Sequence, residues 1–207
     1  MKKIALIIMS LLMASSVAMA SPLTDYSKSE TSLDLTFRNS EIDETRPSDD
    51  YSFGKKSTMD ATITHSLGNG TAIQYRHFSP NITKSIYTMK VATDEFNYIR
   101  KLDNHVAVFA GLINTKQTYT HSSGFWDSTS TGTQIGVIGN TTIAPKTTLW
   151  GILAVGANSM TNFEAGIGYQ IAPNLEFNVN YRQLKLDFMY GYESKVKGTG
   201  FGVTYKF

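Results

Sequence analysis

Two side chains with the chemistry of an acyl-transfer site stand close together in the segment QYRHFSPN. His77 and Ser79 are two residues apart, so an extended strand places both on the same face. A histidine that takes the proton of a serine hydroxyl is the minimum needed for nucleophilic attack on an ester. The alternative is structural, with Ser79 and Pro80 ending a strand. It is favoured because no carboxylate can be assigned to orient His77, and because His121 and Ser123 repeat the pattern in a predicted loop.

Aromatic residues in two segments rich in small polar residues are the candidates for binding a partner. Tyr119, Phe125 and Trp126 lie in KQTYTHSSGFWDSTSTG, and Tyr190 and Tyr192 lie in FMYGYES. Aromatic rings among small polar residues give rigid contact area at low entropic cost. We therefore predict two surface loops that contact a partner. The alternative is that these rings form an interfacial belt or pack against one another across a rim.

The acidic segment between the first two predicted strands does not predict a metal site. Asp43, Glu44, Asp49 and Asp50 follow none of the spacings of a calcium-binding loop, so a solvated run of charges is expected. The chain has no cysteine, and so no disulfide can stabilise it. Neither a metal nor another cofactor is predicted.

The start of the chain has the pattern of a cleaved export signal. Lys2 and Lys3 precede a short apolar stretch, and Ala18-Met19-Ala20 forms a cleavage site of small residues. We predict a signal peptide over 1–20 and a tail over 21–31. Removing Lys2 and Lys3 from the 19 basic residues leaves 17, which equals the 17 acidic residues. Without a clustered basic excess, no nucleic-acid partner is predicted.

The end of the chain alternates strictly between apolar and small or polar residues. Phe201, Val203, Tyr205 and Phe207 fall on one face of a strand, and the residues between them fall on the other. An aromatic face that continues to the carboxyl terminus is typical of a strand whose outer side meets lipid. Tyr205 and Phe207 are therefore predicted to form a terminal insertion signature.

The same alternation, interrupted by turn signals, predicts about ten strands. They lie near 32–38, 57–67, 71–78, a long segment ending near 102, 106–114, 133–141, 148–157, 161–171, 175–186 and the terminal run. Turns of about three residues alternate with longer connections, as in transmembrane barrels. The fold class is all-β: a transmembrane antiparallel up-and-down β-barrel over 32–207, with eight strands as the alternative count.

Two predicted hairpins specify which residues face each other. If Gly68-Asn69-Gly70 is a three-residue loop, Ile63 faces Tyr75 on the outside and Thr62 faces Arg76 on the inside. If 172–174 is a similar loop, Glu164 faces Arg182 on the inside. The inward charges predict a polar lumen network, which comprises Asp60, Arg76, Glu164, Glu176 and Arg182.

A barrel of about ten strands has an interior largely filled by side chains, so a mostly plugged lumen is predicted. The inward glycines of the late strands leave an alternative. They include Gly166, Gly168, Gly198, Gly200 and Gly202. We expect them to relieve crowding, and the alternative is a narrow conducting gap.

The signal peptide, the amphipathic strands, the late hairpin FEAGIGYQIAPNLEFNVNYR and the terminal YKF together resemble the superfamily of small bacterial outer-membrane β-barrels. This superfamily includes the OmpA-type and opacity-type barrels. The resemblance implies outer-membrane localisation, contact with outer-membrane lipid or lipopolysaccharide, and recognition of the last strand by the barrel insertion machinery. The composition of the aromatic loops adds the expectation of an extracellular ligand.

Three functions follow from this resemblance and from the residues. The leading one is a non-enzymatic surface protein, adhesin-like or structural, with a plugged lumen. The first alternative is a narrow porin-like channel for small solutes. The second is a lipid A esterase, since HFSPN resembles the His-x-Ser-Asn site of outer-membrane lipid A deacylases. It departs from that pattern because Pro80 precedes Asn81 and because the segment lies early in the chain.

Overall fold

The computed structural model describes residues 26, 29–45, 50–122, 124–157, 159–188 and 192–207. The predicted signal peptide and most of the predicted tail lie outside this range. The strands are β1 (Thr31–Thr45), β2 (Asp50–Gly68), β3 (Thr71–Phe78), β4 (Asn81–Lys84), β5 (Tyr87–Lys101), β6 (Val106–His121), β7 (Gly124–Ala144), β8 (Thr147–Gly156), β9 (Met160–Ala172), β10 (Leu175–Phe188) and β11 (Tyr192–Lys206). None of the described residues belongs to a helix long and apolar enough to cross a membrane.

The strands close into a ring. Neighbours along the chain pair antiparallel, β1 pairs with β11, and both β3 and β4 pair with β5. The strands β3 and β4 therefore occupy one position in the wall, separated only by Ser79 and Pro80. The predicted closed up-and-down barrel of ten strands is confirmed, and the alternative of eight strands is not.

The two predicted hairpin registers are confirmed along most of their length. Ile63 pairs with Tyr75, Thr62 with Arg76, and Glu164 with Arg182. The predicted three-residue loops are wrong at the turns themselves. Gly68 pairs with Thr71, and Asn69 and Gly70 form a two-residue turn with φ angles of 53° and 73°. Such positive angles suit the tight hairpins that follow the twist of the strands.

The outer hairpins, at the end opposite the chain termini, are longer than predicted. β1 runs to Thr45, β6 to His121, and β7 begins at Gly124, so most of the first and third predicted loops is strand. The segment SPNITKS, which follows the predicted strand 71–78 and was not predicted as a strand, contains β4. The apolar alternation that marks a strand ends where the wall leaves the lipid. Backbone pairing continues beyond that point because it requires no apolar face.

The outward face forms an apolar band. Many large apolar side chains on it are exposed, including Phe37, Met59, Ile63, Phe96, Leu112, Ile135, Leu153, Ile167, Val179 and Phe201. Water would disfavour so continuous an apolar surface, whereas a bilayer stabilises it. This band therefore marks the part of the wall that spans the membrane.

Side chains fill the interior in three parts. A layer of charged residues crosses the middle. An apolar cluster lies inside the barrel against β5–β8, toward the end that holds the termini. It includes Ile99, Phe109, Ile138 and Trp150, together with buried Tyr26 from the predicted tail. The interior toward the outer end is also apolar. Its buried residues are Ile42, Phe53, Phe78, Ile82, Met89, Val91, Ile113, Met160, Leu184, Leu186 and Val196. The expectation of a polar lumen is therefore wrong at this outer end and at the cluster that contains Trp150.

Candidate functional site

A cleft opens at the outer rim of the barrel. It has a volume of about 430 Å³ and is lined by Tyr87, Tyr119, His121, Gly124, Phe125 and Trp126. The hairpin of β6 and β7 supplies most of this lining, since Tyr119 pairs with Trp126 and His121 pairs with Gly124. Tyr87 comes from the start of β5. A cleft of this size falls within the range of small-ligand sites, about 300–1,000 Å³.

Three of the rings that line the cleft form a stack. The ring centroids of Tyr87 and Tyr119 lie 5.8 Å apart, and those of Tyr87 and His121 lie 4.7 Å apart, with interplanar angles of 29° and 22°. Below the stack, Tyr119 meets Phe53 edge-on at 6.1 Å. The stack therefore stands on the apolar cluster of the outer lumen. Because rings supported on both sides lose little freedom on binding, they suit a recognition surface.

Three of the five predicted partner-binding residues come together in this cleft. Phe125 and Trp126 are 75% and 42% exposed, so they are accessible to a ligand. Tyr119 is half-buried and supports them. All three lie on strands, not in loops as predicted. Tyr192 begins β11 and lies outside the cleft lining, and Tyr190 lies outside the described residues.

Tyr87 is the cleft residue that the sequence analysis missed. It lies opposite Lys84 at the tight turn between β4 and β5, at the start of the long segment that was predicted as a strand ending near 102. Its spacing of two from Met89, which faces inward, was the available signal. The inner and outer faces of that long strand were not assigned from the sequence, so Tyr87 was given no role.

The middle of the lumen holds a network of buried charges. Arg38 Nε lies 2.8 Å from Asp60 Oδ2, and Arg38 Nη2 lies 3.0 Å from Glu164 Oε1. Arg76 pairs with the other oxygen of Glu164. Arg182 Nη2 lies 2.7 Å from Glu95 Oε1. Three guanidinium groups and three carboxylates thus offset one another where water could not stabilise either sign alone.

The ion pairs of this network differ from the facing pair that the hairpin register predicted. Glu164 faces Arg182 in the backbone register, yet its carboxylate pairs with Arg38 and Arg76. Asp60 pairs with Arg38. In a narrow barrel, long side chains reach across the lumen as easily as they reach the adjacent strand. The sequence analysis assigned no role to Glu95, because the register of its strand was not specified.

Glu176 lies apart from these ion pairs, toward the end of the barrel that holds the termini. It is buried on β10, opposite Gln170 and Thr204. Asp34 lies at a similar height and accepts hydrogen bonds from Thr36, Asn178 and Thr204. A cavity of about 30 Å³ beside Asp34, Arg76 and Glu164 holds little more than a water molecule or two.

The structure supplies a carboxylate for His77. His77 Nδ1 lies 2.8 Å from Asp94 Oδ1, and the Tyr75 hydroxyl donates to the same oxygen at 2.7 Å. These side chains lie on the outer face of the barrel wall, and those of His77 and Asp94 are 43% and 39% exposed. Ser79 follows on the same face. Asp94 was missed because it comes from β5, whose register the sequence did not specify.

The terminal aromatic residues face outward, as the alternation predicted. Tyr205 and Phe207 are exposed and their rings stack at 6.1 Å. The Phe207 backbone exchanges hydrogen bonds of 3.0 Å and 2.9 Å with Thr31, so the last residue closes the wall beside the first strand. Their role as an insertion signature remains a prediction. Among the described residues, no group of three or more His, Cys, Asp or Glu side chains is arranged to hold a metal ion.

No protein-family model and no curated protein sequence matches this chain. Solved structures do. Ail, the attachment invasion locus protein of Yersinia pestis, is 11% identical over 87% of this chain and 99% of that chain, with a TM-score of 0.45. Neisserial surface protein A is 12% identical over 87% and 100%, with a TM-score of 0.46. The N-terminal β-barrel domain of Pseudomonas aeruginosa OprF is 12% identical over 87% and 100%, with a TM-score of 0.39.

The architecture itself determines where the protein resides. Its wall is closed, so the strands leave no unpaired edge in the bilayer. Its outward face is apolar, and its charged residues are turned inward or lie toward the two ends of the apolar band. With these features, the protein is an integral β-barrel of the bacterial outer membrane.

Proposed function

We propose that this protein is a surface-recognition barrel that binds an extracellular ligand in the aromatic rim cleft. The observation that carries the proposal is the supported ring stack of Tyr87, Tyr119 and His121, with Trp126 and Phe125 exposed beside it. Binding in this cleft requires no catalytic step. The barrel wall and its filled lumen act as the rigid base that holds the β6–β7 hairpin above the membrane.

The contents of the lumen favour this function over a channel. A solute path would have to pass the outer apolar cluster, the buried ion pairs and the cluster around Tyr26. Recognition at the outer end requires no such path. No feature of the described residues specifically favours the porin-like alternative.

Trp126 provides the test. The refolded barrel in lipid nanodiscs is labelled and applied to immobilised oligosaccharides and extracellular-matrix glycoproteins, with and without Trp126→Ala. An exposed aromatic anchor typically contributes 2 kcal/mol or more, and so the variant is expected to bind about 30-fold more weakly. Thr129→Ala, on the same strand but outside the cleft lining, is the matched control and should bind normally.

Two results would count against recognition through the cleft. One is the absence of binding by the wild-type barrel to every immobilised probe. The other is a dissociation constant that Trp126→Ala leaves unchanged. A heat-modifiable gel shift confirms that each variant is folded before it is applied.

A further inference from the structure

A second arrangement of reactive side chains lies on the outward face of the wall, away from the rim cleft. His77 pairs with Asp94 across β3 and β5, and Asn81 pairs with Lys90 across β4 and β5. The same register holds on both sides of Pro80, whose carbonyl accepts a hydrogen bond from the Val91 amide at 3.0 Å. Ser79 therefore stands opposite Ala92, next above His77 on the outward face.

The hydrogen bonds of this arrangement determine the state of the imidazole. A carboxylate can only accept, so His77 Nδ1 carries the hydrogen that is shared with Asp94. In the neutral imidazole, the other ring nitrogen, Nε2, is then the acceptor that a general base requires. The hydroxyl of Tyr75 holds the same carboxylate oxygen from the side. His77 is thus oriented by a partner that is itself held in place.

Ser79 has the exposure and the space that a nucleophile needs. It is half-buried, and the residue opposite it, Ala92, carries only a methyl group. No hydrogen bond joins Ser79 to His77 within the described part of the chain. Catalytic hydrogen bonds are often long before substrate binds and shorten in the complex.

The position of the group suggests its substrate. Directly below it on the same face lie Tyr75 and Phe96, whose ring centroids are 4.8 Å apart, and then Tyr98. Above it lie the exposed residues Asn81 and Lys90. A membrane strand needs about 9–11 residues to cross the bilayer, and Ser79 is eight residues beyond the start of β3. The group therefore lies at the outer boundary of the apolar band, at the depth of lipid ester bonds.

We propose that Ser79 and His77 hydrolyse an acyl ester of an outer-leaflet lipid, with Asp94 as the residue that positions His77. The acyl chain lies along Tyr75 and Phe96, and the polar head lies toward Lys90. This activity goes beyond ligand recognition and uses none of the residues of the rim cleft.

The reaction proceeds in two balanced steps. Ser79 Oγ bonds to the ester carbonyl carbon while its proton passes to His77 Nε2. The carbon–oxygen bond to the lipid alcohol then breaks, the alcohol takes that proton, and acyl-Ser79 remains. Water attacks the acyl group by the same route, releasing a fatty acid and restoring both side chains.

The test uses the complete mature barrel refolded into vesicles of two compositions. One contains phosphatidylethanolamine and phosphatidylglycerol, and the other contains purified lipid A in addition. Released fatty acid is measured by mass spectrometry. Release from both compositions identifies a phospholipid ester as the substrate, and release only with lipid A identifies an ester of lipid A. Ser79→Ala and His77→Ala should each lower the rate at least about 100-fold.

Two controls separate catalysis from structure. Ser57→Ala, another exposed serine on the neighbouring strand β2, should leave the rate unchanged. Asp94→Asn should lower kcat and move the acidic limb of the pH–rate profile, because Asp94 stabilises the imidazolium. If the His77–Asp94 pair only stabilised the fold, Asp94→Asn would leave the acidic limb of the pH–rate profile where it is in the wild type. An alkyl fluorophosphonate probe should form a covalent adduct at Ser79 in the wild type.

The proposal is overturned by any of three results. They are no fatty-acid release from either vesicle by folded wild-type protein, release that persists in Ser79→Ala, and the absence of a probe adduct at Ser79. None of these results bears on binding in the rim cleft, which is tested separately with Trp126→Ala.

Discussion

Gly198 and Gly200 on β11 lie where the neighbouring strand β1 comes close to the β11 backbone. A Cβ atom at Gly200 would lie 2.7 Å from Thr36 Cγ2 and 3.1 Å from the carbonyl oxygen of Phe37. At Gly198 it would overlap the backbone carbonyl of Asn39. These glycines relieve crowding between β1 and β11, as the more favoured of the two sequence-based interpretations holds.

We expect Gly198→Ala to destabilise the barrel by about 1–3 kcal/mol, because a backbone atom cannot move aside as a flexible side chain can. Urea unfolding in lipid vesicles measures the effect. Gly151→Ala is the matched control, since its Cβ would meet only the Glu164 carbonyl oxygen at 3.5 Å. Equal stability of the two variants would show that the contact at Gly198 is easily relieved.

The strands are joined across the lumen by Glu164. Its carboxylate, on β9, forms ion pairs with Arg38 of β1 and Arg76 of β3. Neither β1 nor β3 is paired with β9 through the backbone. Arg182 of β10 reaches Glu95 of β5 in the same way. These ion pairs connect opposite walls of the barrel, whereas the hydrogen-bond ladders connect only adjacent strands.

Glu164→Gln should lower the free energy of unfolding by about 3–5 kcal/mol, because it leaves the buried Arg76 guanidinium without its ion-pair partner and Arg38 with Asp60 alone. Glu41→Gln is the matched control, because it also removes two ion pairs, but at the surface. Glu41 lies 3.6 Å from Lys55 and 3.9 Å from Lys197. Its loss should cost at most about 1 kcal/mol. Urea titration of both variants gives the comparison, and similar losses would contradict the role of burial.

As a whole, the molecule is a closed wall around a filled interior. The apolar cluster of the outer lumen, the ion pairs and the cluster with Tyr26 succeed one another along the barrel axis. A conducting path would require side chains of all three to move together. In the proposed function, this filled barrel is the rigid support for recognition at the outer surface.

Folded protein in a planar bilayer should accordingly show no discrete conductance steps, since each buried ion pair would have to separate for an ion to pass. Single-channel recording of a preparation verified by heat-modifiable gel shift checks this. Reproducible steps that Glu164→Gln alters would instead identify a pore through the charged layer.

The sequence alone determined the class of the fold, the two hairpin registers away from their turns, and the outward direction of residues such as Phe201 and Tyr205. It left the strand count open between about ten and eight. These features depend on the two-residue period of a strand and on short turns, and both are local properties. For the same reason the sequence placed Tyr119, Phe125 and Trp126 in a single segment before any contact was known.

Only the tertiary structure decided which distant side chains meet. Glu164 pairs with Arg38 rather than with the facing Arg182, Asp94 reaches His77, and Tyr87 joins the rim stack. It also decided that strands continue above the apolar band and that the outer lumen is apolar. Such contacts depend on the diameter of the closed ring and on registers that accumulate over many strands. No local period specifies them, because alternation assigns a side chain to a face and not to a partner across the barrel.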